Sequence, residues 1–188
     1  MSKQIQYIIA FCLFFYSIAI HSQINDQSFH SGLTFTAHTK NQNERTGLNL
    51  NPDKPMTFSK DGFSLEFETK LRAEPHVYGY VCRIISDDSY SFDMISFSLA
   101  PEFRFVLTGI EKVIETAGIR DSLDNIEDEW IKVRLHFNKK NIKIHINDKE
   151  QVINNSFKNF NNIKIYFGHN KDGHFYTNDV PPITIRNI

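Results

Sequence analysis

The stretch Glu129–Asn147 reads EWIKVRLHFNKKNIKIHIN and decides the fold of this 188-residue chain. Every second residue of its first half is apolar, and the same alternation returns after the polar segment Asn138–Asn141. Because successive side chains point to opposite faces of a strand, this pattern predicts a β-hairpin with one apolar face and one polar face. The predicted apolar face consists of Ile131, Val133, Leu135, Phe137, Ile142, Ile144 and Ile146.

The apolar face of this hairpin needs a cover, and no flanking segment has the periodicity of an amphipathic helix. Roughly eight or more short apolar stretches follow one another instead, separated by turn residues. Phe63–Leu71 alternates most clearly, and Tyr78–Ile85 is apolar on both faces, as expected of a central strand. The sequence therefore predicts an all-β protein, a two-sheet antiparallel β-sandwich of the jelly-roll type.

Residues 1–22 have the features of a secretory signal peptide. A basic residue stands near the start, Tyr7–Ile20 is an apolar run, and polar residues follow up to a predicted cleavage after Ser22. A membrane anchor is the alternative, but the run is shorter than the roughly 20 residues that a spanning helix needs. The sequence before Cys12 lacks the small residue of a lipoprotein site. We therefore expect an exported protein of the periplasm, cell surface or extracellular space, with its domain at 23–188 and no membrane span after cleavage.

The composition narrows the partners of this domain. The formal net charge is −1, which argues against nucleic acid because that partner normally requires a strongly basic surface. Without the leader the chain keeps a single cysteine, Cys82, and so has no internal disulfide. Its apolar surroundings predict a buried, inert thiol. The strand pattern continues to Ile188, as expected of either a piece of a longer protein or a domain that ends on its last strand.

Six short segments occur in a recognisable order: Arg45–Leu50 (RTGLNL), Phe63–Phe67 (FSLEF), Tyr78–Tyr80 (YGY), Trp130–Val133 (WIKV), Phe167–Gly168 (FG) and Asp179–Ile188 (DVPPITIRNI). In this order they resemble the laminin-G-like, concanavalin A-like jelly rolls of exported bacterial proteins. The last segment is similar to one that closes domains found ahead of kelch-type β-propellers. The resemblance implies a binding or accessory role and a C-terminal propeller as partner, and it carries over no catalytic residues.

An enzymatic role is the alternative, since this fold superfamily includes laminarinase-type glycoside hydrolases with three acidic residues on one strand. The nearest strand here has Asp93 at the central position, but Ser91 and Ser96 flank it. Glu66 and Glu68 share a strand face, yet it is the polar side of an ordinary amphipathic strand. Retaining hydrolysis needs two carboxyl groups about 5–5.5 Å apart. The sequence favours a protein that is not an enzyme, with a hydrolase using a non-standard acid pair as the second interpretation.

Calcium is the one cofactor that the sequence suggests, because sandwiches of this kind hold it at a loop rim through carboxylates and carbonyls. The candidate ligands are Asp87, Asp88, Asp172 and Asp179, with Asp93 close to the first two in sequence. The alternative is that these aspartates stabilise turns through their own backbone. Asp179 precedes Val180-Pro181-Pro182, where two prolines fix the backbone, so we favour a structural role for this segment.

Aromatic side chains at strand ends or in loops are the candidate platforms for a glycan ligand. They are Tyr90, Trp130, Phe175 and Tyr176. Trp130 also fits a role as a cap of the core at the start of its strand, and we prefer that interpretation. The polar face of the hairpin carries a basic stripe that either attracts an anionic polysaccharide or is simply solvated. The basic stripe consists of Lys132, Arg134, His136, Lys143 and His145.

Three hypotheses for function remain. The leading one is an exported, non-catalytic module that binds a glycan or a protein partner, or packs against a following propeller. The second is a glycoside-active enzyme, and the third is a structural spacer without a ligand of its own. Two carboxylates that converge within about 10 Å on the concave sheet would favour the enzyme, whereas a concave face filled by apolar side chains would favour the binding module.

Overall fold

The hairpin predicted from the sequence is present in the computed structural model of the protein. Strand β8 (Ile131–Asn138) pairs with β9 (Asn141–Ile146), with Leu135 opposite Ile144. The seven apolar side chains predicted to face inward are all 0% exposed, so the period-two prediction is confirmed. The structure describes residues 32–35, 47–71, 78–86, 90–97, 102–110, 112–119, 129–168 and 179–188.

Two six-stranded antiparallel sheets form the sandwich. Sheet 1 has the order β1-β12-β3-β8-β9-β10, and sheet 2 has the order β2-β11-β4-β5-β6-β7. In sheet 1 the remaining strands are β1 (Leu33–Thr34), β3 (Gly62–Leu71), β10 (Lys149–Asn154) and β12 (Ile183–Arg186). The strands of sheet 2 are β2 (Gly47–Asn49), β4 (Tyr78–Ile85), β5 (Ser91–Phe97), β6 (Glu102–Thr108), β7 (Val113–Ile119) and β11 (Lys164–Gly168). The described residues contain no helix, and the predicted all-β sandwich is confirmed.

Phenylalanine rings join the two sheets through the core. The ring of Phe137 in sheet 1 lies edge-on to Phe92 in sheet 2, with centroids 5.3 Å apart, and Phe67 meets Phe167 in the same way at 4.9 Å. Each fully buried side chain of this size contributes about 1.5–3 kcal/mol by leaving water. Cys82 lies in this core as a free thiol, as predicted. Burial, with a smaller contribution from the charge of Asp93, raises the pKa of that thiol far above its ordinary value.

The segment Asp179–Pro182 leads the chain from sheet 2 into the last strand of sheet 1. The carbonyl of Asp179 accepts a hydrogen bond from the amide of Tyr80 at 2.9 Å, while its carboxylate accepts one from the hydroxyl of Tyr78. Val180 is fully buried, and both prolines are buried as well. A Cβ on Gly79 would lie 2.4 Å from the nitrogen of Pro181. Only a glycine in β4 therefore lets this segment pass so close to the strand.

One flank of the sandwich is closed by contacts between the edges of its two sheets. The carboxylate of Glu115 in β7 accepts a hydrogen bond from the amide of Asn154 in β10 at 3.0 Å. The sequence of this flank has only short apolar pieces, at Val113-Ile114 and Val152-Ile153, whereas the structure has the complete strands β7 and β10. An edge strand faces water on several sides, so its sequence shows little alternation.

Gly32–Ile188 forms one compact unit. Among the residues that the structure describes, there is no helix long and apolar enough to cross a membrane. Residues 1–31, with the predicted signal peptide, lie outside the described residues, so the leader and the domain boundary at residue 23 stay predictions.

Candidate functional site

The outer face of sheet 2 carries polar and aromatic side chains on four neighbouring strands. Register places Tyr80, Ile95, Arg104 and Gly118 in one row across four strands. The next row toward one end of the strands contains Tyr78, Phe97 and Glu102, and the row on the other side contains Tyr166, Arg83, Asp93, Val106 and Thr116. These rows divide the face into a buried centre and an open end.

The buried centre is an ion pair between neighbouring strands. Nε of Arg83 donates to Oδ1 of Asp93 at 2.6 Å, and the two side chains are only 3% and 6% exposed. The hydroxyl of Ser91 donates to the same carboxylate at 3.3 Å, and the guanidinium stacks on the ring of Tyr80 at 4.3 Å. Burial raises the pKa of Asp93 above its ordinary value, whereas the charge and hydrogen bonds of Arg83 and Ser91 act to lower it. Every oxygen of this carboxylate therefore has a partner inside the protein.

The open end of sheet 2 consists of Phe97, Glu102, Arg104, Thr116 and Gly118. The guanidinium of Arg104 lies 4.5 Å from the ring centre of Phe97 and forms an ion pair with Glu102. Exposure within the pair is unequal, since the side chain of Arg104 is 42% exposed and that of Glu102 only 3%. Arg104 thus presents donors to solvent while its stem and its counter-charge are held by the sheet.

A cavity of about 480 Å³ lies at this open end, lined by Glu102, Arg104, Thr116, Ala117 and Gly118. Its volume falls in the range of small-ligand sites, about 300–1,000 Å³. A Cβ on Gly118 would lie in ordinary contact with Oε2 of Glu102, at 3.4 Å. A larger side chain at this position would occupy the space beside the Arg104–Glu102 pair.

Two of the four aromatic residues predicted as glycan platforms lie in the described part of the chain, and they belong to different sheets. Tyr90, just before β5, is half-buried and packs against the core, with its ring 6.4 Å from that of Phe157. Trp130 does not join the hydrophobic cluster as a cap, because Ile131 takes the inward position of the strand. Its ring lies on the outer face of sheet 1, where the guanidinium of Arg186 covers it at 3.8 Å. Phe175 and Tyr176 lie outside the described residues.

The predicted calcium ligands are not brought together in the described part of the chain. Asp87, Asp88 and Asp172 lie outside the described residues, and Asp179 bonds to Tyr78 as stated above. Among the described residues no three His, Cys, Asp or Glu side chains are grouped as metal ligands. Calcium binding therefore stays a prediction.

The polar residues of β5, the strand compared above with the hydrolase motif, form hydrogen bonds within the protein. Ser91 and Asp93 lie on the outer face and bond to each other, as part of the buried ion pair. Ser96 has the opposite parity, and its hydroxyl donates to the carbonyl of Gly79 at 3.4 Å. The three positions therefore do not converge on one site.

Sequence reasoning missed Arg83, Glu102, Arg104 and Gly118. One signal was available, because Glu102 and Arg104 alternate with two phenylalanines in EFRF, which places both charges on the outer face of a strand. A second signal was an arginine inside the apolar run YGYVCRII, which needs a buried counter-charge. The position of Gly118 beside Arg104 depends on strand register and could not be seen in the sequence.

Comparison with known proteins identifies the fold. No family model matches the sequence, and no curated protein matches it. Among solved structures, the galectin LEC-6 of Caenorhabditis elegans has a TM-score of 0.51 and 11% identity, over 76% of this chain and 94% of the galectin. Domains LG4-5 of the mouse laminin alpha1 chain have a TM-score of 0.51 and 11% identity, over 74% of this chain and 37% of that one.

A glycan-bound protein shares the same architecture. The mixed linkage glucan GH16 protein of Bacteroides ovatus, in complex with its G4G4G3G product, has a TM-score of 0.51 and 13% identity. The match covers 66% of this chain and 60% of the other, so the chain spans less than two thirds of that protein and of the laminin fragment. Together with the sheet topology described above, these likenesses show that the chain has the concanavalin A-like jelly-roll fold that the sequence resemblance implied.

Proposed function

We propose that the protein is a carbohydrate-binding module whose ligand occupies the open end of sheet 2. The observation that carries the proposal is the cavity of about 480 Å³ beside the Arg104–Glu102 pair. It combines an exposed guanidinium, a carboxylate, the hydroxyl group of Thr116 and a glycine that leaves room beside them. The galectin among the structural neighbours supports the same class of function, although the likeness itself concerns the fold.

The chemistry of this site suits a neutral sugar. Sugar hydroxyl groups both donate and accept hydrogen bonds. The exposed guanidinium of Arg104 offers donors, held in place by the buried Glu102, and the hydroxyl of Thr116 can both donate and accept. The pair carries no net charge, so it does not select for an anionic ligand. The rings of Tyr78 and Phe97 stack at 6.1 Å in the adjoining row, and Tyr78 is 37% exposed. They provide the apolar surface on which the C–H face of a sugar ring packs.

The placement of the carboxylates on this face supports binding rather than hydrolysis. Asp93 is opposite Val106, and Glu102 lies four residues away from Val106 on the same strand. At roughly 3.3 Å per residue, the backbone positions of the two acids differ by about 13 Å along the sheet. Glycoside hydrolases hold their two carboxyl groups about 5–9.5 Å apart. Each of these acids is also paired with an arginine.

The cellular setting of the proposal rests on the sequence. The signal-like residues 1–22 support action outside the cytoplasm, at the cell envelope or beyond it, where polysaccharides are abundant. The kelch-type propeller suggested by the segment Asp179–Ile188 is proposed as a C-terminal partner, for which the sequence of this segment is the only support.

A glycan array and isothermal titration calorimetry test the proposal. We expect the protein to bind at least one neutral oligosaccharide, and Gly118→Leu to weaken that binding at least tenfold by filling the cavity. Thr57→Leu is the matched control, because Thr57 is exposed outside both sheets and should keep its affinity within about twofold. Unfolding midpoints in urea establish that both variants remain folded.

Two results would contradict the proposal in different ways. Absence of any bound glycan, with and without calcium, would leave a structural spacer as the better hypothesis. Binding that survives Gly118→Leu unchanged would keep the function but place its site elsewhere on the molecule.

A further inference from the structure

The outer face of sheet 1 has an ordered distribution of charge. Its carboxylates come from β3 and β10, whereas the two strands between them, β8 and β9, have no carboxylate at their outward positions, which carry basic and imidazole groups and, next to the turn, Asn138 and Asn141. The basic and imidazole groups form the basic stripe that the sequence analysis defined. In register, Arg134 lies opposite His145, and His136 lies opposite Lys143. The stripe therefore runs along the strands as two adjacent columns.

Two lysines of this stripe have no counter-charge among the described residues. Lys132 is opposite Glu68, but that carboxylate accepts from Nε of Arg186 at 2.5 Å and from Asn187 at 3.1 Å. Lys143 lies between His136 and Val152 in the sheet, and the nearest carboxylate, that of Glu150, is diagonal to it and lies 3.5 Å from His145. The nearest acids are thus committed to other groups, and both ammonium groups remain available to an external anion.

A small cavity lies between the two columns. It measures about 150 Å³ and is lined by Lys132, Arg134, His145 and Asn147. Asn147 has a left-handed backbone with φ of 50°, and its side-chain oxygen accepts a hydrogen bond from the amide of Lys132 at 2.9 Å. The amide of Asn147 in turn donates to the carbonyl of Lys132 at 2.9 Å. These reciprocal bonds hold the end of the hairpin, and with it the position of the cavity, in place.

The ion pairs within the basic stripe are weak, so its positive groups can still bind an external anion. Arg134 bonds to Glu66 at 2.7 Å, but both side chains are about half exposed, and His145 lies 3.5 Å from Glu150. Exposed pairs of this kind are worth about 0–1 kcal/mol, so a multivalent anion competes with them at little cost. Outward positions recur every second residue, about 6.6–6.8 Å apart along each strand. A linear ligand with repeated anionic groups matches that spacing better than a single ion does.

We propose that the basic stripe is a second binding site, for a polysaccharide that carries sulfate or carboxylate groups. It is independent of the proposed sugar site, since it lies on the outer face of the other sheet. The polysaccharide is anchored by the two free lysines at the ends of the stripe and by the cavity between its columns. The overall charge of −1 disfavours a nucleic acid, whose binding draws on a basic charge over a wider surface.

The experiment uses immobilised dextran sulfate, with neutral dextran as reference, and measures affinity at several salt concentrations. We expect the protein to bind dextran sulfate and not dextran, with affinity falling as salt rises because released counterions drive the association. Lys132→Glu combined with Lys143→Glu should weaken binding at least tenfold. Lys54→Glu combined with Lys112→Glu makes the same change in net charge at exposed residues off this face, and should change affinity by less than threefold.

Further variants and ligands distinguish the basic stripe from the sugar site and from a general effect of charge. Gly118→Leu should leave dextran sulfate binding unchanged, so that failure of the sugar site and failure of the basic stripe are distinguishable. Equal losses in the two lysine pairs would overturn the proposal and leave only an effect of net charge. Absence of binding at about 50 mM salt, where counterion release still favours association, or equally tight binding of duplex DNA, would overturn it as well.

Discussion

The two outer faces of the sandwich arise from the same alternating pattern but hold their charges in opposite ways. On sheet 1 the pair Glu66–Arg134 is 48% and 46% exposed, whereas on sheet 2 the pair Arg83–Asp93 is almost completely buried. Water competes for an exposed pair, so its loss costs little, but a single charge left behind in a buried site is costly. We therefore expect the outer face of sheet 1 to tolerate the loss of a charged side chain with little change in stability. The outer face of sheet 2 should depend on its buried ion pair.

The largest expected effect comes from breaking the buried pair. Asp93→Ala leaves the guanidinium of Arg83 buried without a counter-charge, and should lower the free energy of unfolding by about 3–5 kcal/mol. Urea denaturation followed by tryptophan fluorescence measures it. A loss below about 1 kcal/mol would mean that the pair behaves like an exposed one, and the contrast between the two faces would disappear.

A double substitution sharpens the same point. Arg83→Met combined with Asp93→Leu removes both charges and should recover most of the stability lost in Asp93→Ala, since apolar replacements of buried pairs are often neutral or stabilising. If the double variant has the same unfolding midpoint as Asp93→Ala, then altered packing, rather than the unpaired charge of Arg83, causes the loss of stability.

Two glycines on sheet 2 provide the next comparison. In Gly79→Ala the new Cβ meets the backbone nitrogen of Pro181 at 2.4 Å, so the chain must shift, at a cost of about 1–3 kcal/mol. In Gly118→Ala the nearest atom is Oε2 of Glu102 at 3.4 Å, an ordinary contact, and stability should fall by less than about 0.5 kcal/mol. Thermal unfolding of both variants checks the pair. Similar midpoints for the two would show that the Asp179–Pro182 segment yields easily.

A smaller effect is expected where the end of β4 meets that segment. Tyr78→Phe removes the hydrogen bond to the carboxylate of Asp179 and should cost less than about 1 kcal/mol, because Tyr78 is partly exposed. This bond and the charge of Asp179 raise the pKa of Tyr78 above its ordinary value. The folded state therefore keeps the proton more tightly than the unfolded state does.

The sign of the pH dependence follows from that shift. The stabilising contribution of Tyr78 is complete below the ordinary tyrosine pKa of about 10, and it is lost as the pH rises through the raised value of the folded state. The stability difference between the protein and Tyr78→Phe should thus stay constant from neutral pH to about 10 and shrink above it. Urea unfolding at a series of alkaline pH values measures this. A difference that grows with pH would contradict the assignment.

The smallest effect should be found on sheet 1. Glu66→Ala removes the partner of Arg134 at an exposed position, so the free energy of unfolding should change by less than about 1 kcal/mol. Measured in about 1 M salt, the change should become smaller still, because salt screens exposed charges. A loss close to that of Asp93→Ala would reverse the comparison between the faces.

Much of the fold could be predicted because side chains alternate between the two faces of a strand, so that the buried face can be recognised in the sequence. The inward residues of the hairpin alternate without interruption, and all of them are buried as expected. Prediction was weaker at β7, since only Ala117 and Ile119 face the core from this edge strand, while residues such as Thr116 and Gly118 are exposed.

The candidate site could not be predicted in the same way, because it depends on which residues become neighbours across strands. Glu102 and Arg104 stand out in EFRF, but only the register of β6 against β7 places Gly118 beside them. The search for aromatic residues at strand ends and in loops selected Tyr90 and Trp130. It could not anticipate that the ring of Tyr90 packs on the core and that the guanidinium of Arg186 covers the ring of Trp130.

The pairing of the edge strands β1 and β2 determines when the fold can be completed during synthesis of the chain. Leu33 in β1 has its partner at Ile185 in β12, and Leu48 in β2 has its partner at Phe167 in β11. While the ribosome makes this chain from its N-terminus, both early strands lack their partner strands until β11 and β12 have emerged. Such distant pairings form slowly, and their unpaired edges are open to other chains in the meantime. We therefore expect a nascent chain that stops before residue 160 to be captured by chaperones, and protease resistance to appear only once β11 and β12 have emerged from the ribosome.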